Sequence, residues 1–325
     1  MGILIEENKY RLKLLKLLKS DIKKVAFPKL IVLQTMNRCN CACSMCPYSY
    51  TIANEEKTLM SENLYEKILD EISQESGFET MIMAFQNEPL LDNRIVTFAK
   101  MFKEKLPDKN LELVTNGTLL AENVIDSIYR YFDTVHISVN AFSKTTHRMV
   151  SNTDTYEKIL SNIELISEKK LTNKTILRFI KQKDNYTEKD DFKKYWNSRG
   201  FKVFGFDVNN RLAKVKHFNE KIKVPRFKKD ILKMKAFKYL GKMLVPTCPI
   251  PFLVFYIKSN GDVVQCFNDW SGKNILGNIH DSSIRSIYTS NKYKEIRKLL
   301  LADKLDENVI CENCDLYKEG IWLTA

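Results

Sequence analysis

Between residues 29 and 208 the chain alternates short, β-rich apolar runs with helical periodicities, and this alternation restricts the fold more than any other feature. KLIVLQT (29–35), TMIMAF (80–85), LELVTNGT (111–118), TVHISVN (134–140), KTILRFI (174–180) and FKVFGFDVN (201–209) read as strands. SENLYEKILDEISQE (61–75), IVTFAKMFKEKL (95–106), ENVIDSIYRYF (122–132), TYEKILSNIELISEK (155–169) and DDFKKYWNSRG (190–200) read as helices between them. The first helix places Leu64, Ile68 and Ile72 at four-residue spacing behind an N-cap at Ser61, and Gly200 ends the last. Six strands separated by helices predict an α/β fold with a parallel sheet and right-handed crossovers, either doubly wound or a partial barrel. In both, chemistry gathers at the C-terminal strand ends. A cysteine-rich loop follows the first strand, QNEP (86–89) the second and TNGT (115–118) the third, and Asn140 closes the fourth.

The loop reads NRCNCACSMCP (37–47) and holds four of the chain's eight cysteines; the others are Cys248, Cys266, Cys311 and Cys314. Eight cysteines in 325 residues are too few for a disulfide scaffold, and their clustering points to metal ligation in a reducing cytosol. Cys39, Cys43 and Cys46 form C-x3-C-x2-C. Iron–sulfur clusters usually take four thiolates, and structural zinc also wants a closed set. Three thiolates in this spacing on one short loop, far in sequence from the second group of cysteines, favour a 4Fe–4S cluster with one iron open.

C-x3-C-x2-C after the first strand of a βα repeat resembles the radical S-adenosylmethionine (radical SAM) enzymes. QNEPLL (86–91), LVTNGTLL (113–120) and VHISVN (135–140) extend the likeness over about residues 28–210. The resemblance implies a partial (β/α)6 barrel in which Cys39, Cys43 and Cys46 hold the cluster and SAM chelates its fourth iron. It also implies that Met45 lies along the adenine and that Glu88 holds the methionyl amine. Ser138 and Asn140 would reach the ribose, and Arg178 would pair with the methionyl carboxylate. Helix capping for Ser138 and Asn140, and a plain ion pair for Arg178, are the competing roles. Gln86-Asn87 stands where the family carries Gly-Gly.

Cys248, Cys266, Cys311 and Cys314 can close around one centre. With CPIPF (248–252), NGDVVQC (260–266), LGNI (276–279) and CENC (311–314), they resemble the twitch domain, a shortened SPASM domain that binds an auxiliary 4Fe–4S cluster. A hairpin around Asn260-Gly261 (253–267) and a helix at 291–303 are expected there. The one-cluster layout resembles the aminocyclitol dehydrogenase type. Expected domains are a basic N-terminal helical extension (1–28), the barrel (29–211), a basic helical insertion (212–247) and the auxiliary domain (248–325). Three plus four ligands leave Cys41 over, as a small loop residue or a thiol donor of hydrogen.

The resemblance implies reductive SAM cleavage to a 5′-deoxyadenosyl radical, hydrogen abstraction from a substrate C–H bond, and oxidation through the auxiliary cluster. The expected substrate is a sugar, aminocyclitol or other polyol, phosphate- or nucleotide-linked. The alternatives are maturation of a ribosomally made peptide, by oxidation, cross-linking or epimerisation, and a non-enzymatic iron–sulfur electron carrier. The expected partners are an external one-electron reductant of flavodoxin or ferredoxin type and an anionic small-molecule or peptide substrate, with no nucleic acid. Arg211, directly after the sixth strand, is the candidate substrate contact, against a plain surface arginine.

The formal net charge is +12, and it is concentrated. Residues 1–30 carry eight Lys/Arg against three Asp/Glu, and residues 212–247 eleven against two. Such segments suit an anionic partner or a solvated helix face. Peripheral membrane contact through 10–25 and 227–244 stays open. There is no apolar run of membrane-spanning length and no secretory signal, so a cytoplasmic location is expected.

Overall fold

The computed structural model describes residues 25–211, 215–224, 247–270, 272 and 274–315. The basic helices expected at 10–25 and 227–244 lie outside these residues, apart from Val25.

Six parallel strands follow one another: β1 (Leu30–Leu33), β2 (Thr80–Met83), β3 (Asn110–Thr115), β4 (Thr134–Ser138), β5 (Thr175–Lys181) and β6 (Lys202–Asp207). Their spatial order is the sequence order, β6-β5-β4-β3-β2-β1. A doubly wound sheet reverses direction at a switch point. Strands that never reverse, joined by right-handed crossovers, keep every helix on one face, as a barrel wall does. The helices are α1 (Glu62–Ser73), α2 (Ile95–Lys105), α3 (Glu122–Tyr131), α4 (Lys144–Ser151), α5 (Tyr156–Glu168) and α6 (Lys189–Ser198). Ser61 caps α1, its hydroxyl accepting the Leu64 N–H at 3.2 Å.

The two-residue period of the strands separates core from site. Ile31, Leu33, Met81, Leu111, Leu113, Val135, Ile137 and Leu177 are sealed against the helices in one core. Each such side chain contributes about 1.5–3 kcal/mol on burial. The alternate residues Val32, Ile82, Val114, Ser138, Arg178 and Phe206 turn the other way and line one cavity.

Helix α4 is absent from the apolar pattern because its buried face is Thr146, His147, Val150 and Ser151, mostly polar. Its signals are at its ends: Ser143 accepts the Thr146 N–H at 3.2 Å, and Asn152 closes it at φ 53°.

The C-terminal part begins with the single turn α7 (Ile250–Leu253) and strands β7 (Val254–Ile257), β8 (Asp262–Val264) and β9 (Ile275–Asn278). β7 and β8 form the expected antiparallel hairpin around Asn260-Gly261. The hairpin is not a separate layer. β7 pairs parallel with β1, Leu30 opposite Val254 and Leu33 opposite Ile257, so all nine strands form one sheet. Helices α8 (Ile284–Tyr288) and α9 (Asn291–Leu301) follow.

Candidate active site

The cysteine loop after β1 is pinned at several points. The Cys39 N–H donates to Tyr48 Oη at 2.9 Å, Asn40 Nδ2 to Thr118 Oγ1 at 2.9 Å, and the Ser44 N–H to the Val150 carbonyl at 3.0 Å. It therefore hangs between the ends of β3 and α4 over the mouth of the sheet. The loop and the strand ends enclose a cavity of about 580 Å3. Cys39, Cys43, Cys46, Met45, Glu88, Ser138, Asn140, Arg178 and Arg211 all line it, so nine residues chosen from sequence converge on one space.

Burial pushes the Cys46 thiol up to about 11, against the Tyr48 backbone and the Arg211 charge, which pull it down. Cys39 is also pushed up, by the Cys41 side chain and by burial. Such thiols ionise when a metal takes their proton's place. No three His, Cys, Asp or Glu side chains among the described residues converge at single-ion distance. A cubane does not need that, because each cysteine binds a separate iron.

Glu88 is buried at the N-cap of a short 3-10 turn, Pro89–Leu91. Its Oε1 accepts from Thr115 Oγ1 at 2.7 Å and the Leu90 N–H at 3.0 Å, and its Oε2 from the Asn116 N–H at 2.7 Å. Burial raises its pKa to about 7 although all three bonds oppose the shift. Oε2 keeps a lone pair for a further donor.

Asn140 departs from the capping alternative. It sits at φ 61°, its Oδ1 accepts the Ile180 N–H at 2.8 Å, and the N-cap of α4 is Ser143. Its amide nitrogen is left for a ribose. Arg178 lies 4.9 Å over the Phe206 ring, facing the cavity from β5. Met45 is buried against Val208 and Phe218. Arg211 is no surface arginine: its Nε is sealed from solvent, and its guanidinium lies 5.8 Å from the Phe267 ring centre.

Sequence reasoning missed the side of the cavity facing the C-terminal part. Gln86, at φ 54°, reaches from the β2 loop with Nε2 donating to the Asp269 carbonyl at 3.3 Å. Tyr256, Phe267 and Trp270 complete the wall. The available signal was the aromatic spacing in CFNDW after Cys266 and the unusual Gln86-Asn87 pair.

Cys248, Cys266, Cys311 and Cys314 form the second set. Burial is the main cause that pushes Cys248 and Cys266 up, and each is raised further by Cys311 and Cys314. The four sulfurs therefore act on one another at one place. Gln265 Nε2 donates to Cys311 Sγ at 3.2 Å, orienting one thiol of the knuckle. A closed four-thiolate set fits a fully ligated cluster.

Residues 33–193 match the radical SAM superfamily, and residues 248–315 match the SPASM iron–sulfur cluster-binding domain. The chain carries a radical SAM domain followed by a SPASM domain. It is a radical SAM enzyme, which sets aside the electron-carrier alternative, and its cofactors are SAM and 4Fe–4S clusters. The S-adenosyl-L-methionine-dependent 2-deoxy-scyllo-inosamine dehydrogenase of Niallia circulans is 20% identical over 286 residues, 88% of this chain and 92% of that protein. The crystal structure of BtrN in complex with AdoMet and 2-DOIA matches with TM-score 0.57 at 18% identity, over 89% of this chain and 93% of that one. Streptococcus suis SuiB bound to precursor peptide SuiA matches with TM-score 0.69 at 15% identity, over 94% of this chain and 74% of that one. These structural likenesses establish the radical SAM fold with its C-terminal antiparallel strands. No helix among the described residues is long and apolar enough to cross a membrane.

Proposed function

We propose that this radical SAM enzyme is an oxidoreductase that dehydrogenates a hydroxyl-bearing ring, a sugar or aminocyclitol. SAM on the open cluster would supply a 5′-deoxyadenosyl radical that takes hydrogen from a C–H bond, and the closed cluster would supply a one-electron acceptor. Cys39, Cys43 and Cys46 would hold the first cluster, and Cys248, Cys266, Cys311 and Cys314 the second. Glu88 would hold the methionyl amine, Arg178 the methionyl carboxylate, Ser138 and the Asn140 amide the ribose, and Met45 the adenine. An external flavodoxin- or ferredoxin-type protein would deliver the first electron.

The observation that carries the substrate class is the side of the cavity facing the C-terminal part. Gln86 Oε1, Asn87 Nδ2, Trp270 Nε1 and Arg211 Nε are buried there with no hydrogen-bond partner among the described residues. Leaving buried polar atoms unmet costs about 1–3 kcal/mol each, so a ligand that meets them is favoured. One acceptor among several donors suits hydroxyls, which donate and accept, and Arg211 suits an anionic substituent. Tyr256, Phe267 and Trp270 offer flat faces to a ring.

The test is anaerobic incubation of the reduced, cluster-loaded protein with SAM and a panel of aminocyclitols and amino sugars. 5′-Deoxyadenosine and an oxidised ring should appear in equal amounts. In Cys314→Ala the deoxyadenosine should persist while the oxidised ring is lost. Failure of the wild type to release 5′-deoxyadenosine under any condition would end the reading.

Peptide maturation is the second reading, favoured by the likeness to SuiB, which is described bound to its precursor peptide. Oxidation, cross-linking or epimerisation of a peptide, with no turnover of any ring compound, would replace the polyol by this class.

A further inference from the structure

Cys46 and the terminal cysteine pair fall in different proposed ligand sets, yet the three residues 209–211 connect their surroundings: Asn210 is bonded beside Cys314, and Asn209 and Arg211 line the cavity that Cys46 lines. The Asn210 N–H donates to Asp315 Oδ2 at 2.8 Å, and Asn210 Nδ2 donates to the Asn313 carbonyl at 2.8 Å. Those two partners flank Cys314, so the end of β6 is bonded to the CENC knuckle. The next residue, Arg211, is turned back at φ 47°, its N–H donating to Asn209 Oδ1 at 3.0 Å. That turn sends its side chain into the cavity that Cys46 lines. There the guanidinium lies 5.8 Å from the ring centre of Phe267, the residue after Cys266. Its charge acts on Cys46 on one side and meets the opposite charge of Asp315 on the other. One half-buried cation, its Nε sealed from solvent, thus stands between a proposed ligand of the first set and the neighbours of two of the second.

A guanidinium keeps its charge when buried and is weakly hydrated, so it suits this place better than an ammonium would. A positive charge in a water-poor site favours whichever cluster state is more negative, and little solvent is present to screen it. Charge near a cluster is one of the means by which a protein sets reduction potential.

On the reading that both cysteine sets hold clusters, we infer that Arg211 is a positioning residue for electrons: a shared cation that raises the reduction potentials of both centres. Its effect is larger at the Cys46 side, because Asp315 offsets it at the other. The SAM-binding cluster becomes easier to reduce from outside, and the auxiliary cluster becomes a better acceptor. A substrate anion arriving at the same guanidinium would lower both potentials, so the site would register its occupancy.

The experiment is a potentiometric titration followed by electron paramagnetic resonance, on cluster-loaded protein without SAM or substrate. In Arg211→Gln both midpoints should move to more negative potential, the SAM-site cluster further, while Arg211→Lys should stay near the wild type. Asp315→Asn should move them in the opposite direction, and it serves as the deciding variant if Arg211→Gln fails to take up iron. A residue that only holds substrate would leave these midpoints unchanged. Unchanged midpoints in Arg211→Gln, or unchanged or lowered midpoints in Asp315→Asn, overturn the inference. Iron and sulfide content of the wild type tests the underlying reading separately: one cluster per chain instead of two would sink that reading.

Discussion

Asn116 donates from Nδ2 to the sulfur of Cys41 at 3.3 Å and to Asn40 Oδ1 at 2.7 Å, while its own N–H is held by Glu88. One asparagine thus ties the extra cysteine of the cluster loop to the carboxylate assigned to SAM. Cys41 is buried, and its sulfur faces an amide donor at the end of β3. Cys41 stands outside the C-x3-C-x2-C spacing of Cys39, Cys43 and Cys46, so it is expected to be a loop residue rather than an iron ligand. Cys41→Ser should keep the SAM-site cluster and its response to added SAM. Ala at Cys39, Cys43 or Cys46 should abolish both and leave the auxiliary signal intact. Iron analysis and paramagnetic resonance decide. Loss of the SAM-site cluster in Cys41→Ser would mean that the sulfur facing Asn116 is a ligand.

Glu88, if it holds the SAM amine as proposed, should make SAM binding depend on pH. Its pKa is raised from 4.5 to about 7 by burial, so the folded protein without SAM favours the protonated carboxyl. For an acid with a raised value, stability is fully present below the unfolded value and is lost as pH rises through the folded one. The SAM-free protein should therefore lose stability between about pH 5 and about pH 8. SAM works in the opposite sense, since an ammonium beside Glu88 favours the anion. Its affinity should fall as pH drops below about 7, approaching tenfold per unit where Glu88 alone controls binding. Calorimetric titration across this range checks the slope. Glu88→Gln should bind weakly at every pH with the slope gone, and a surviving slope would point to another group.

Trp270 tests the substrate wall through a single polar atom. Its indole N–H is buried without a partner among the described residues, while its ring packs with Tyr48 and Ile52. Trp270→Phe removes the N–H and keeps much of the aromatic surface. If the N–H binds substrate, KM for the ring compound should rise about tenfold, matching the roughly 1–1.5 kcal/mol of one hydrogen bond. Release of 5′-deoxyadenosine without substrate should be unchanged. An unaltered KM would remove Trp270 from the substrate site.

The two cysteine sets were legible because their spacing is local: C-x3-C-x2-C and CENC announce themselves whatever lies between them. Glu88 and Arg178 could be placed because strand ends meet at one rim in any parallel α/β fold. What could not be read was the pairing of β7 with β1. Register between strands more than two hundred residues apart follows from packing, not from either segment, so the hairpin appeared to be a separate module. The wall built by Gln86, Tyr256 and Trp270 depends on that pairing and was hidden with it. Arg211 read equally as a substrate contact or a plain surface arginine for a similar reason, since its burial depends on the docking of the CENC knuckle on Asn210.

Gly117 joins the stability of the barrel to the geometry of the SAM loop. It sits at φ 79° directly after Asn116, and a Cβ there would stand 2.7 Å from a methyl carbon of the buried Ile137. Its carbonyl accepts from Asn162 Nδ2 at 2.8 Å, so the turn cannot swing away without breaking a buried bond. Ile137 is β-branched and packed in the core, with little rotamer freedom to retreat. Gly117→Ala combines left-handed strain with a core clash and should destabilise the fold by about 1–3 kcal/mol. It should also displace the Asn116 N–H from Glu88 and weaken SAM binding more than that loss of stability alone would. Denaturant unfolding measures the first effect and SAM titration of the folded protein the second. Wild-type SAM affinity in a destabilised variant would show that Gly117 serves the core alone.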